Sequence, residues 1–389
     1  MAVVKLGADR LLEGQVTIPG SRWGLVTNYT GVTSSLIPTS QALDRAGFPL
    51  VVLFAPEHGL LGTAQAGSSE GEGVDPYTGF PVIDTYRKEG DELAALIGRW
   101  NLDALLFDLQ DIGVRFYTYV WTIYDCMLAA AKIGLPVYIL DRPNPIGGLI
   151  VEGPGLERGF ESFVGRVDVP IRHGLTVGEL ARVSAAKARA QGLPIPDPHV
   201  ITLQGWKRSM MWADTGLDWV LPSPNMPTAA TALVYVGTCL LEGTNISEGR
   251  GTTRPFHMVG APWCDGRLCA AMQAADVGAH FREAWFKPMF SKFADQLVGG
   301  VDIYPRDAAT YRSLSAGVVL LGEVKTQSGS AFEWQEPDWE GSGSYFIDLL
   351  WGSSSLRHLL DHDDVEGALL LARSNQDFHR RCADYLLYS

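Results

Sequence analysis

Ala104-Leu-Leu-Phe-Asp-Leu-Gln-Asp-Ile-Gly-Val-Arg-Phe-Tyr-Thr-Tyr119 decides how this chain is read. Four apolar residues run without a break, and Asp108, Gln110, Asp111 and Arg115 follow at once. A short unbroken apolar run that ends in polar residues reads as a strand buried on both faces, the mark of a parallel sheet. Three further runs precede or follow it. Residues 24–27 lead to Asn28, residues 51–54 to Glu57 and His58, and residues 137–140 to Asp141, Arg142 and Asn144. In open α/β sheets ligands bind beyond the carboxyl ends of the strands, so these polar tips predict one functional rim.

Helices fit between the runs. Asp91 is expected to cap a helix whose Leu93, Leu96, Ile97 and Trp100 fall at helical spacing, and a second helix is predicted over residues 121–133 with Gly134 as its stop. Residues 59–90 form a long, Gly-rich connection at the rim, which reads as a binding loop. Thr176 and Glu179 have capping-box spacing, with Leu175 and Leu180 as the hydrophobic staple, so Glu179 is structural. The proline-rich stretch Pro222-Ser-Pro-Asn-Met-Pro227 marks a boundary, and Thr228 caps the next helix. Residues 1–228 are therefore read as an α/β domain built on a parallel sheet, and residues 229–389 as a smaller α+β domain. Within the latter, residues 266–293 are expected to be helical, residues 317–321 β-like, and the terminus helical.

Composition narrows the function. Of 389 residues, 46% are apolar and 19% charged, as in an ordinary globular protein. A net charge of −13 argues against nucleic acid as a partner. No apolar run approaches the length of a membrane span, so no membrane insertion is expected. Met1-Ala-Val-Val-Lys5 lacks the features of a secretory signal, and the chain as it stands is expected in the cytoplasm. Five cysteines form neither a disulfide framework nor a zinc pattern. Both nucleotide-binding glycine motifs are missing, and Gly67-Ser-Ser-Glu-Gly71 lacks the strand and helix of a nucleophile elbow.

Chemistry concentrates in four places. Glu57, just past a buried strand, suits a general acid, while a cap for the next segment is the plainer role. Asp108 and Asp111 suit the positioning of water, Arg115 an anion, and Tyr117 and Tyr119 the face of a sugar ring. An Asp108–Arg115 ion pair would explain two of these residues and leave the others unexplained. The prolines after Arg142 and Asn144 stiffen the turn that follows the fourth strand. Between residues 242 and 256, Glu248, Arg250 and Arg254 form either a substrate wall or a mutual ion-pair network. Asn28, His58, Arg142, Asn144, His173 and Asn225 complete the set of expected ligand contacts. Carboxylates and histidines are present for a metal, yet paired ligands at metal-binding spacing are not, so neither metal nor cofactor is expected.

These strings resemble the NamZ-type exo-β-N-acetylmuramidases, glycoside hydrolase family 171. The likeness rests on Phe54-Ala-Pro-Glu-His-Gly59, residues 107–119, Asp141-Arg-Pro-Asn-Pro-Ile-Gly-Gly148 and Val151-Glu-Gly-Pro154. It continues through His173-Gly-Leu-Thr176, Pro222-Ser-Pro-Asn-Met-Pro-Thr228 and Glu242-Gly-Thr-Asn-Ile-Ser-Glu-Gly-Arg-Gly-Thr-Thr253. The resemblance implies a Rossmann-like domain without nucleotide, a smaller C-terminal domain and an active-site cleft between them. It implies release of terminal β-1,4-linked N-acetylmuramic acid from the non-reducing end of peptidoglycan fragments, with saccharides or muropeptides as partners. Glu57 is the position carried over as catalytic acid. Family members are often exported, a point on which this N-terminus departs. The sugar's lactyl carboxylate calls for an arginine, with Arg115, Arg250 and Arg254 as candidates, and its ring suits Tyr117, Tyr119 or Trp219. A non-catalytic muropeptide-binding protein and a metal-dependent amidase or deacetylase on the same sugar are the alternatives.

Overall fold

The computed structural model describes residues 3–337 and 343–389. Met1 and Ala2, the start of the N-terminus read above for an export signal, lie outside the described residues. Seven strands form one sheet: β1 (Trp23–Thr27), β2 (Leu50–Ala55), β3 (Gly73–Val74), β4 (Pro81–Asp84), β5 (Ala104–Asp108), β6 (Val137–Leu140) and β7 (His199–Ile201). Their order is β3-β4-β2-β1-β5-β6-β7, and every pair is parallel except β3 with β4. The four apolar runs are thus β1, β2, β5 and β6, four of the five inner strands. The connection over residues 59–90 is more than a loop, because it contributes β3 and β4 to the sheet edge.

Unbroken apolar runs are needed because both faces are covered. Val26, Phe54, Leu105, Phe107 and Ile139 point into one core; Leu25, Leu53, Leu106 and Leu140 point into another. α1 (Gly7–Leu12) and α2 (Thr39–Arg45) cover the second face. The first carries α3 (Gly90–Gly98), α4 (Tyr119–Lys132) and α5 (Val177–Ala190). Asp91 lies within the first turn of α3 rather than at its cap. At α5 the Thr176 hydroxyl accepts from Glu179 N–H while Glu179 bonds back to Thr176 N–H, the expected capping box. Glu179 also pairs with Arg208 and accepts from Leu387 N–H, so its structural reading stands.

The first core continues without interruption into the C-terminal part through Leu233, Val259, Ile303, Leu320 and Trp351. There α6 (Ala229–Thr238), capped by Thr228 as expected, leads to a three-stranded antiparallel sheet of β8 (Met258–Ala261), β9 (Ala279–Phe286) and β10 (Val298–Pro305). α7 (Gly266–Ala274), α8 (Ser313–Ser328), α9 (Phe346–Trp351), α10 (Ser355–Asp361), α11 (Val365–Ala372) and α12 (Phe378–Arg381) complete it.

Two expectations are corrected here. Residues 266–293 are helical only as far as Ala274. β9 then buries Ala279, Phe281, Ala284 and Phe286 while His280, Arg282, Glu283 and Trp285 face out, a strand's alternation. Residues 317–321, expected to be β-like, lie inside α8. That helix is packed on several sides by α6, α7 and α11, so an apolar run of helix reads like a buried strand. No helix among the described residues is long and apolar enough to cross a membrane.

Candidate active site

Strand order reverses at β1, which makes the gap between the carboxyl ends of β1 and β5 the usual ligand crevice. Here the protein fills that gap itself. The Thr27 hydroxyl donates to the Asp108 carbonyl at 3.0 Å, and Thr39 Oγ1 to Asp108 Oδ2 at 2.5 Å. Arg142 reaches both Asp108 oxygens, at 2.5 and 3.0 Å, and also donates to the Val32 carbonyl. Gly31 belongs to this plug, since a Cβ there would lie 2.0 Å from Thr27 Oγ1.

The open space lies to one side, where β2, the start of α4 and the segment after α6 converge. It is a cavity of 370 Å³, within the range of small-molecule sites. Glu57, His58, Tyr117, Glu248 and Arg250 of the expected site residues line it. Glu57 is 8% exposed and held at both carboxylate oxygens: Gly67 N–H donates to Oε1 at 2.7 Å and Thr118 Oγ1 to Oε2 at 2.6 Å. His58 occupies the left-handed region, with φ of 69°, and turns its ring back over the loop. Its Nδ1 lies 2.8 Å from the Ala64 carbonyl; a carbonyl only accepts, so Nδ1 carries a proton.

The opposite wall is ionic. Arg250 bonds to Glu242 at 2.8 Å and to Glu248 at 3.2 Å, and Lys292 meets Glu248 at 3.0 Å. Burial raises the pKa of Glu248, but Lys292 and Arg250 outweigh it, and the carboxyl sits below its ordinary range. Burial pushes the Tyr117 hydroxyl well above its usual range, so it is a neutral phenol in the cavity wall. Glu248 and Arg250 are thus joined in an ion-pair network that lines the cavity, while Arg254 stands outside it.

The other expected contacts lie off the lining of this cavity. Asp108 and Arg142 are the buried pair at the crevice. Asp111 is 4% exposed and accepts from Gly113 N–H; burial pushes its carboxyl up to about 7. His173 Nε2 is 3.7 Å from Asp111, and burial lowers this imidazole to about 3. Asn144 closes its own turn by bonding to Ile146 N–H and the Leu175 carbonyl. Arg115, expected to bind an anion or pair with Asp108, donates to four carbonyls, those of Pro154, Val169, Leu350 and Trp351. Arg254 pairs with Asp302 and stacks on Tyr304. Tyr119 and Asn28 bond to each other at 2.8 Å just behind His58, Asn225 reaches Gln65, and Trp219 bonds to the Met226 carbonyl.

Sequence reasoning missed Thr118, Glu242, Lys292, Tyr86 and Arg87, all in the lining. Thr118 and Glu242 stood inside quoted motifs; Tyr86 and Arg87 carried no local signal beyond their place in the long connection. Among the described residues no three His, Cys, Asp or Glu side chains come together as a metal-ligating group.

Residues 23–230 match the family described as exo-β-N-acetylmuramidase NamZ, N-terminal, and residues 233–388 match its C-terminal counterpart. The chain belongs to the NamZ family. It is 38% identical to the peptidoglycan β-N-acetylmuramidase NamZ of Bacillus subtilis strain 168, over 99% of this chain and 91% of that one. Two crystal structures of DUF1343 family proteins from Bacteroides fragilis NCTC 9343 share the fold. One superposes with a TM-score of 0.88 at 32% identity over all of both chains. The other has a TM-score of 0.78 at 26% identity, over all of this chain and 99% of that one.

Proposed function

We propose that this protein is an exo-acting glycoside hydrolase that releases terminal β-1,4-linked N-acetylmuramic acid from the non-reducing end of peptidoglycan fragments, with Glu57 as general acid. The observation that carries the reading is Glu57 itself: a carboxyl at the wall of the cavity, fixed at both oxygens, in a chain of the NamZ family. In the acid form the rotatable Thr118 hydroxyl accepts from Glu57, and after proton transfer it donates to the carboxylate, so both states are held in one place. The Glu57 proton passes to the glycosidic oxygen, the bond from that oxygen to C1 breaks, and water supplies the hydroxyl that ends on C1, its other proton passing to a base and through solvent restoring the acid form of Glu57. Glycoside cleavage draws on a second group. With Asp108 and Asp111 away from the lining, Glu242, Glu248 and the sugar's own 2-acetamido oxygen take over as candidates. We read residues 1–228 and 229–389 as the two units that meet at this cavity.

The test is mass spectrometry of products from defined muropeptides, with Glu57→Gln beside the parent. Free N-acetylmuramic acid is expected from the parent, and a loss of about 100-fold or more in kcat from the variant with its fold intact. Binding without any product would favour a non-catalytic muropeptide-binding protein. Release of acetate or peptide, sensitive to chelation, would favour the amidase or deacetylase. Normal turnover by Glu57→Gln would remove Glu57 from the acid role.

A further inference from the structure

Cleavage of a glycoside takes an acid for the leaving oxygen and a second group that deals with C1, and Glu57 fills only the first role. Three more carboxyls line the cavity, those of Glu242, Glu248 and Glu336. They differ in how they are held. Glu248 is 2% exposed, with Oε1 3.2 Å from Arg250 and Oε2 3.0 Å from Lys292. Against the pull of burial those two cations keep it below its ordinary range, which makes it a poor proton acceptor. Glu336 is exposed, and water screens its charge.

Glu242 combines restraint with a free oxygen. It sits in the turn after α6, and Arg250 donates to its Oε1 at 2.8 Å. Arg250 is itself fixed by Glu248 and by the Phe256 ring, whose centre lies 5.0 Å from the guanidinium carbon. Lys292 donates to the carbonyl of Leu241 at 2.8 Å and so holds the backbone just before Glu242. Among the described residues Glu242 Oε2 has no hydrogen-bond partner, and the side chain stays 20% exposed in the cavity wall. Two phenols link this carboxyl to the acid. Burial, with Glu57 adding to it, raises the Tyr117 hydroxyl, and burial, with Glu242 adding to it, raises that of Tyr235. Their rings meet edge-on with centres 6.1 Å apart. Glu57 stands beside one ring and Glu242 beside the next, two carboxyls set apart across neutral rings. Inverting glycosidases keep their two carboxyls far enough apart to admit a water molecule.

We propose that Glu242 is the general base: its Oε2 takes a proton from the water that attacks C1 on the face opposite the leaving oxygen, so N-acetylmuramic acid is released as the α-anomer. This rests on the function proposed above, in which Glu57 protonates the leaving oxygen. The water oxygen bonds to C1 as the bond to the leaving oxygen breaks. One water proton stays in the new hydroxyl, the other ends on Glu242, and exchange with solvent returns both carboxyls to their starting forms. Proton NMR of the first-formed sugar from an aryl β-N-acetylmuraminide reads the stereochemistry, beside turnover by Glu242→Gln and Glu242→Ala. The parent is expected to release the α-anomer first. Glu242→Gln keeps an oxygen for Arg250 to bond, so a residue that only held Arg250 would lose little by it. A base would lose about 100-fold or more in kcat, with KM little changed. Azide, a nucleophile that needs no base, should restore turnover to Glu242→Ala and give the α-glycosyl azide. First release of the β-anomer overturns the base role in favour of the sugar's own 2-acetamido oxygen or a carboxylate nucleophile. A kcat for Glu242→Gln within about threefold of the parent's overturns it as well and leaves Glu242 a holder of Arg250. A parent without turnover overturns the enzyme reading and the base with it, whereas Glu57→Gln inactive beside an active Glu242→Gln overturns the base alone.

Discussion

Asp111 shows at the scale of one residue how burial changes the meaning of a motif. Following Asp108 in a polar string, it reads as a water-positioning carboxylate, yet it is buried away from the cavity lining with its carboxyl raised by desolvation to about 7. Its ordinary unfolded value is about 3.9. Between those values the folded chain keeps a proton that the unfolded chain releases, so this group's share of stability falls as pH rises from about 4 to about 7 and is constant above. Across that window the change amounts to about 4 kcal/mol. Asp111→Asn removes it, so the variant should gain on the parent by that order between pH 4 and pH 8. Urea unfolding at both pH values checks this, and an unchanged pH slope would show Asp111 ionised in the fold. Glu57 and His58 were legible from their place after an inner strand. Asp108 and Arg142 stood at equivalent places and turned toward each other, because the direction of a side chain depends on a partner from another strand.

At the scale of elements, the crossing of α6 and α8 explains a misreading and makes a prediction with a definite sign. Gly317 begins the run expected to be β-like, and a Cβ on it would lie 2.3 Å from the Gly237 carbonyl oxygen. Ser313 on α8 donates to the Leu233 carbonyl at 2.6 Å, which locks the two helices at that distance. Helix propensity by itself favours alanine over glycine by about 1 kcal/mol. The close backbone contact opposes it, and forcing atoms into a packed interface costs about 1–3 kcal/mol beyond that gain. Gly317→Ala is therefore expected to lower the midpoint of chemical unfolding; a rise would mean the helices separate freely. β1, β2, β5 and β6 and the α5 cap were legible because each carries its own period or its own polar partners. β9 and α8 were not: the strand's alternation slips at Glu283, and the helix is apolar on too many sides to show one.

For the whole molecule, Arg115 marks where the two parts of the chain are joined. Its guanidinium is fully buried and serves two carbonyls from residues 154–169 and two from α9, 235 and 236 positions further along the chain. Arg115→Met would leave those carbonyls without a donor, a loss expected to cost about 3–5 kcal/mol. Equilibrium unfolding in urea measures it, and a cost under about 1 kcal/mol would show that water or relaxation replaces the guanidinium. Sequence alone determined the parallel sheet, its order of strands along the chain, the caps of α5 and α6 and the family, because these depend on local periodicity and on strings unusual enough to be specific. Only the tertiary structure decided which polar tips reach the cavity. Asp108 found Arg142, Glu57 found Thr118 61 positions away, and Arg115 found α9, and each outcome was set by the burial of charge and by partners distant in sequence.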